Sequence, residues 1–229
     1  MLSTHNHKGN FLWLNSQEIL ISKLKKQPLI IVFRPGNKEF KNQRIDQNIL
    51  TLIESIYKSG IVNIEIAWSP NPRWKHLIKE VQYHFPDIFL GAASVNSYLA
   101  LKEVINIGLP YAMTPLWSQS IQKKAIEFNQ LLVPGVSCLS QIHQAQNLGY
   151  KIVKIFPASE IGINYIEKLK LTMSCLPLFI AAGGLNHQDI RPWLSAGYSA
   201  ITLGRKFTEA PESLPYINSW VKQYEGIDI

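Results

Sequence analysis

The chain has 229 residues, of which 46% are hydrophobic and 17% charged, a balance that suits one large folded domain or two small ones and excludes a disordered chain. No apolar run approaches the roughly 20 residues that a membrane-spanning helix needs, and the polar stretch Met1 to Asn10 lacks the apolar centre of a signal peptide, so a cytoplasmic protein is expected. The net charge of +7 is scattered over separate pairs such as Lys123-Lys124 and Arg205-Lys206, with no interleaved aromatic stripe, which favours a small anionic ligand over nucleic acid or a membrane surface.

Residues 1–15 read as a polar, disordered or loosely packed lead-in, and residues 16–229 as one domain. Gln17 to Lys26 has apolar residues at helical spacing and predicts a short leading helix. Leu29 to Phe33 is an apolar strand, ended by the turn Arg34-Pro35-Gly36. Asp46 to Lys58 puts Ile49, Leu52, Ile53 and Ile56 on one helical face, and Ser59-Gly60 stops it. A second strand, Ile61 to Trp68, carries Glu65, and a helix follows over Trp74 to His84. Ile88 to Leu90 starts a third strand that runs into Gly91-Ala92-Ala93-Ser94. Asn96 is the expected cap of the next helix, which Gly108 ends. Pro110 to Met113 and Leu131 to Val133 are the fourth and fifth strands, flanking a helix over Ser118 to Asn129. Ser137 is the expected cap of a helix that reaches Asn147, with Gly149 beyond it. Lys151 to Phe156 is the sixth strand, and Asn164 to Met173 is helical. Leu178 to Ala181 is the seventh strand. A helix begins at Asn186 or His187, Tyr198 to Leu203 is the eighth strand, and the last helix runs from Glu212 to Tyr224.

Strands that alternate with helices imply parallel pairing, because each return needs a crossover. Eight units in about 200 residues predict a single (β/α)₈ barrel with a short N-terminal helix. A doubly wound open sheet is the second choice, but the first strand-to-helix turn has no GxGxxG.

In such a barrel the chemistry sits at the C-terminal ends of the strands. Lys154 stands out there, because it interrupts the apolar run Ile152, Val153, Ile155 and Phe156. Burial favours the neutral amine, the form that attacks a carbonyl. Taken alone, Lys154 fits equally well a lysine whose stem is buried while its head reaches water. Glu65 comes from another strand and points to the same lumen, either as an ion-pair partner or as the group that moves protons for the amine. Gly183-Gly184 and Gly204-Arg205-Lys206 end the last two strands. Phosphate sites form there in barrels, with glycines that let the backbone approach, amides at a helix start and two cations. Cys138 and Cys175 fit no metal spacing and read as reduced, buried thiols, and without CxxC or HExxH neither metal nor cofactor is expected.

Lys-Ile-Phe-Pro-Ala-Ser at 154–159 closely resembles the Schiff-base segment of the 2-keto-3-deoxy-6-phosphogluconate and 4-hydroxy-2-oxoglutarate aldolases. Other markers follow in that family's order, from about Leu29 to Phe207: Ile-Glu-Ile at 64–66, Gly-Ala-Ala-Ser-Val at 91–95, Thr-Pro at 114–115, Val-Pro-Gly-Val at 133–136 and Ala-Gly-Gly-Leu at 182–185. The resemblance implies a metal-independent class I aldolase. Lys154 would form an imine with a 2-oxo acid, Glu65 would be the acid/base, and Pro115 and Phe156 would line the pocket. Pyruvate and an aldehyde would be released, and the assembly would be a homotrimer. A 2-keto-3-deoxy sugar acid 6-phosphate, giving glyceraldehyde 3-phosphate, and 4-hydroxy-2-oxoglutarate, giving glyoxylate, both remain open as substrates.

The departures point within the family. Ser69 stands where many gluconate-type members have a carboxylate-binding arginine, whereas Arg34 matches the arginine that galactonate-type members carry after the first strand. Ala93 and Ser94 replace a Gly and a Thr, and Arg205-Lys206 replaces a small Gly-Ser pair, which either strengthens phosphate binding by charge or fills the site. The alternative from another class is a non-catalytic barrel that binds a sugar phosphate or 2-oxo acid. Intact Lys154 and Glu65 argue against it.

Overall fold

The computed structural model describes residues 5–36, 47–210 and 214–225. Nine strands form one sheet: β1 Leu29–Phe33, β2 Asn63–Ala67, β3 Phe89–Ala93, β4 Tyr111–Met113, β5 Leu131–Val133, β6 Gly135–Val136, β7 Ile152–Ile155, β8 Leu178–Ala182 and β9 Ala200–Leu203. Their order is β5-β4-β3-β2-β1-β9-β8-β7-β6, and every pair is parallel. The ring is that of a (β/α)₈ barrel, because β5 and β6 are one strand position interrupted at Pro134. β5 pairs with β4, β6 pairs with β7, and the Pro134 carbonyl accepts the Lys154 amide at 2.9 Å. A proline has no amide hydrogen for the ladder, so the break falls there. The strands are buried almost throughout, as expected of parallel strands covered by helices.

The helices are α1 His5–Lys26, α2 Gln47–Lys58, α3 Arg73–His84, α4 Tyr98–Ile107, α5 Gln119–Glu127, α6 Leu139–Asn147, α7 Ala158–Ile161, α8 Tyr165–Lys170, α9 Ile190–Ser195, α10 Arg205–Thr208 and α11 Leu214–Glu225. Asp46 and Glu212, the expected starts of two of them, lie outside the described residues, as do residues 1–4 of the lead-in. Helix α1 begins well before the expected Gln17. Trp13 is buried and packs edge-on against Tyr150 at 4.9 Å. Gln17, also buried, donates to the Gly149 carbonyl at 3.2 Å and accepts the Lys151 amide at 2.8 Å. These bonds tie α1 to the start of β7. Two expected caps move by one residue. Ser97, not Asn96, caps α4 by accepting the Ala100 amide at 3.2 Å. Cys138, not Ser137, precedes α6, and the Ser137 amide donates to Gln141 Oε1 at 2.8 Å. Gly108 ends α4 as expected, in the left-handed conformation at φ 74° that costs a residue without a Cβ least.

The expectation of buried thiols fails. Cys138 and Cys175 are free and exposed, one at a helix start on the barrel rim and the other in the loop before β8, both outside the apolar interior. Among the described residues no helix is long and apolar enough to cross a membrane.

Candidate active site

Side chains alternate between barrel interior and exterior along each strand. The alternation aims Val32 and Arg34, Glu65, Ala93, Pro115, Lys154 and Phe156, Ala182, Thr202 and Gly204 inward, and these residues line one cavity of about 510 Å³ at the C-terminal end of the barrel. Ser94, Asn96, Gly183, Gly184, Leu185, Arg205 and Lys206 complete the wall. Every candidate named from sequence, Arg34, Glu65, Ser94, Pro115, Lys154, Phe156, Gly183, Gly184, Gly204, Arg205 and Lys206, is in this one cavity.

Lys154 and Glu65 are the charged pair at its floor, with 6% and 1% of their surfaces exposed. Burial lowers the proton affinity of the Lys154 amine to a pKa of about 8, against the pull of the Glu65 charge; Arg34 lowers it further. Burial raises the Glu65 carboxyl to about 7, opposed first by Lys154, then by Arg34 and by the Tyr111 hydroxyl. Near neutral pH both groups therefore have an accessible second protonation state, which proton transfer requires. The Lys154 ammonium lies 5.5 Å from the centre of the Phe156 ring, a cation–π distance.

The rim carries the remaining charge. Arg34 Nη1 donates to Ser94 Oγ at 2.8 Å. Ser94 has φ 61°, a left-handed conformation that is uncommon for serine. The strain turns its hydroxyl toward the guanidinium. Partial enclosure of the Arg34 head, then Arg205, work against its charge while Glu65 supports it, and a guanidinium stays charged through such shifts. Gly183 and Gly184 both have positive φ, 97° and 78°. A Cβ on Gly183 would lie 2.9 Å from the Phe156 ring, and one on Gly184 would lie 2.0 Å from Ser159 Oγ, so only glycine fits either position. Lys206, at the start of α10, donates its Nζ to the Gly184 carbonyl at 2.6 Å. The two strand-end loops are thus tied together by one of the two cations that distinguish this site.

Comparison with known proteins identifies the scaffold. Residues 20–216 match the family model for KDPG and KHG aldolases. The chain belongs to this family. It is 24% identical over 190 residues to the 2-dehydro-3-deoxy-6-phosphogalactonate aldolase of Escherichia coli, covering 82% of this chain and 88% of that one. It is 27% identical over 119 residues to the KHG/KDPG aldolase of the same organism, covering 52% and 55%. Among solved structures, the KDPG aldolase of Legionella pneumophila, captured with pyruvate as a covalent carbinolamine, superposes with a TM-score of 0.72 at 20% identity, covering 88% of this chain and 95% of that one. A native KDPGal structure gives 0.68 at 22%, covering 86% and 92%.

Within this aldolase-family barrel, sequence reasoning missed two interior residues. Thr202 lines the cavity two positions before Gly204, is 7% exposed, and has no hydrogen-bond partner for its hydroxyl among the described residues. Tyr111 is fully buried. Strand alternation counted back from Gly204 and from Pro115 gives both the inward parity, and that was the available signal.

Proposed function

We propose that the protein is a class I, Schiff-base aldolase that cleaves a 2-oxo acid hydroxylated at C4 into pyruvate and an aldehyde, without a metal. The observation that carries this reading is the buried Lys154–Glu65 pair in the aldolase-family cavity, with the amine drawn down toward about 8 and the carboxyl up toward about 7. The neutral Lys154 amine attacks the C2 carbonyl. Glu65 delivers a proton to the departing oxygen, water leaves, and a protonated imine remains. The Glu65 carboxylate then takes the proton of the C4 hydroxyl as the C3–C4 bond breaks. The bonding pair moves into the imine, which becomes an enamine, and the aldehyde departs. Protonation of the enamine at C3 and hydrolysis of the imine release pyruvate and restore the amine. The imine is the electron sink, so the step needs no Lewis acid.

Arg34, exposed at the end of β1 and supported by Ser94, is suited to the substrate carboxylate, since a guanidinium binds it bidentately. Arg205, Lys206 and the double glycine at the opposite rim suit a distal anion, which favours a 2-keto-3-deoxy sugar acid 6-phosphate. 4-Hydroxy-2-oxoglutarate, whose distal group is a carboxylate, is the competing substrate. The exposed Tyr98, Leu99 and Leu139 at the starts of α4 and α6, with exposed Leu116 in the loop before α5, suit a contact between copies of the chain. A homotrimer is the assembly proposed, to be read as mass in solution.

The test is steady-state pyruvate release. Lys154→Ala should abolish cleavage while the protein remains folded. Glu65→Gln should lower kcat by about 10² to 10⁴-fold with a much smaller change in KM. Full activity in Lys154→Ala overturns the reading.

A further inference from the structure

The acid/base carboxyl rests on a residue that lies outside the cavity wall. Glu65 on β2 is in register with Gly91 on β3, and Tyr111 lies on β4, one strand further. Gly91 therefore stands between them in the sheet. A Cβ on Gly91 would lie 2.4 Å from Cζ of the Tyr111 ring, so the absence of a side chain there is what lets the phenol reach across β3. Phe89, earlier on the same strand, stacks on that ring at 5.1 Å and 16° and fixes its plane. The hydroxyl thus arrives at a buried carboxyl. Among the described residues, neither Glu65 Oε1 nor the Tyr111 hydroxyl has a hydrogen-bond partner, although a buried polar atom left unmade is costly.

We infer that Tyr111 is the positioning residue of Glu65, donating its hydroxyl to the ionised carboxylate. This rests on the reading of Glu65 as the proton carrier and adds how that carrier is tuned. The phenol stays neutral, so it can donate to the carboxylate. Its burial, then the Glu65 charge beside it, hold its own proton far more tightly than usual. A donor that binds the ionised form more tightly than the protonated one strengthens the acid. The other groups facing Glu65 are Lys154 from β7 and Arg34 beyond β1, and both favour the carboxylate as well. Tyr111 is the neutral member of this set, so its contribution is separable from theirs. It also holds the carboxylate while Lys154 is consumed as an imine and its positive charge comes and goes.

Tyr111→Phe keeps the ring and its stacking and removes the hydroxyl alone. The direct readout is the pH titration of Glu65 by carbon NMR of labelled glutamate carboxyls, with Glu65→Gln assigning the signal. The Glu65 midpoint should rise in Tyr111→Phe by about 0.5 to 1 pH unit. The acid limb of kcat/KM should move the same way, so that the loss relative to the parent is greater at pH 6 than at pH 8. Coincident titrations, or a drop in kcat/KM equal at every pH, overturn the inference. The titration needs no turnover. If pyruvate fails to form an imine on Lys154 in the parent protein while the Glu65 midpoint still moves, the aldolase reading fails and the Tyr111–Glu65 coupling stands.

Discussion

Replacing the buried pair together, as Lys154→Met with Glu65→Leu, isolates what the pair costs the fold. Glu65 moves from its ordinary 4.5 to about 7 in the folded protein. Between those values the folded chain holds a proton that the unfolded chain has released, so stability falls as pH rises through that window. Lys154 moves from 10.5 to about 8. Between those values the unfolded chain holds the extra proton, so stability climbs as pH rises. The pair therefore contributes a trough of stability centred on pH 7 to 8. At ~1.4 kcal/mol per pH unit, each arm is about 3 kcal/mol deep. The double variant has neither arm. Urea unfolding of both proteins, followed from pH 5 to 9.5, should give a stability difference that favours the variant most near pH 7 to 8 and shrinks by about 2 to 3 kcal/mol toward pH 5. Other titrating groups are common to both proteins and cancel. A difference that stays flat across this range would refute the assignment of burial as the dominant cause of both shifts, because paired, solvated charges would leave no such trough.

Two further substitutions test the rim. Arg34→Ala should raise KM for 2-oxo acid substrates by about ten-fold or more with kcat nearly kept, since it removes a charge-assisted contact shared by ground and transition states; an unchanged KM would remove Arg34 from the site. Gly184→Ala places a Cβ 2.0 Å from Ser159 Oγ in a backbone at φ 78°, so the loop must shift. It should weaken binding of phosphorylated substrates while leaving imine formation with free pyruvate intact, and competition by inorganic phosphate against the parent measures the loss.

Most of the barrel was legible because its strands are short, apolar and punctuated. β1 and β5 spell out as Leu29 to Phe33 and Leu131 to Val133, and β4, expected over Pro110 to Met113, starts one residue later, with a turn residue after each. The helix at the N-terminus was underread for a physical reason. Its buried face contains Gln17, a polar residue paid for by two backbone hydrogen bonds to Gly149 and Lys151, 132 and 134 positions away. A periodicity count sees only a break. The capping shifts at Ser97 and Cys138 are of the same kind, since the competing side-chain bonds form only after the chain turns. The cysteines were misplaced by a general preference of that residue for interiors, which neither the helix start at 138 nor the loop at 175 obeys. The cavity wall was legible because barrel strands present alternate residues at one rim, so Arg34, Glu65, Lys154, the Gly183-Gly184 pair and Gly204 could be assigned to it from strand ends alone. The inward parity of Tyr111 was legible, but its reach to Glu65 was not, because that depends on Gly91 being small on the strand between them. That is a relation between three strands, carried by no local pattern.

The central claim is that Lys154 forms the imine. The measurement is borohydride reduction in the presence of pyruvate, followed by intact mass and peptide mapping. Reduction turns an imine into a stable secondary amine. One pyruvate-derived adduct per chain is expected, on Lys154, and it should be lost in Lys154→Ala. An intact, folded protein that gains no adduct, or gains it on another lysine, would contradict it.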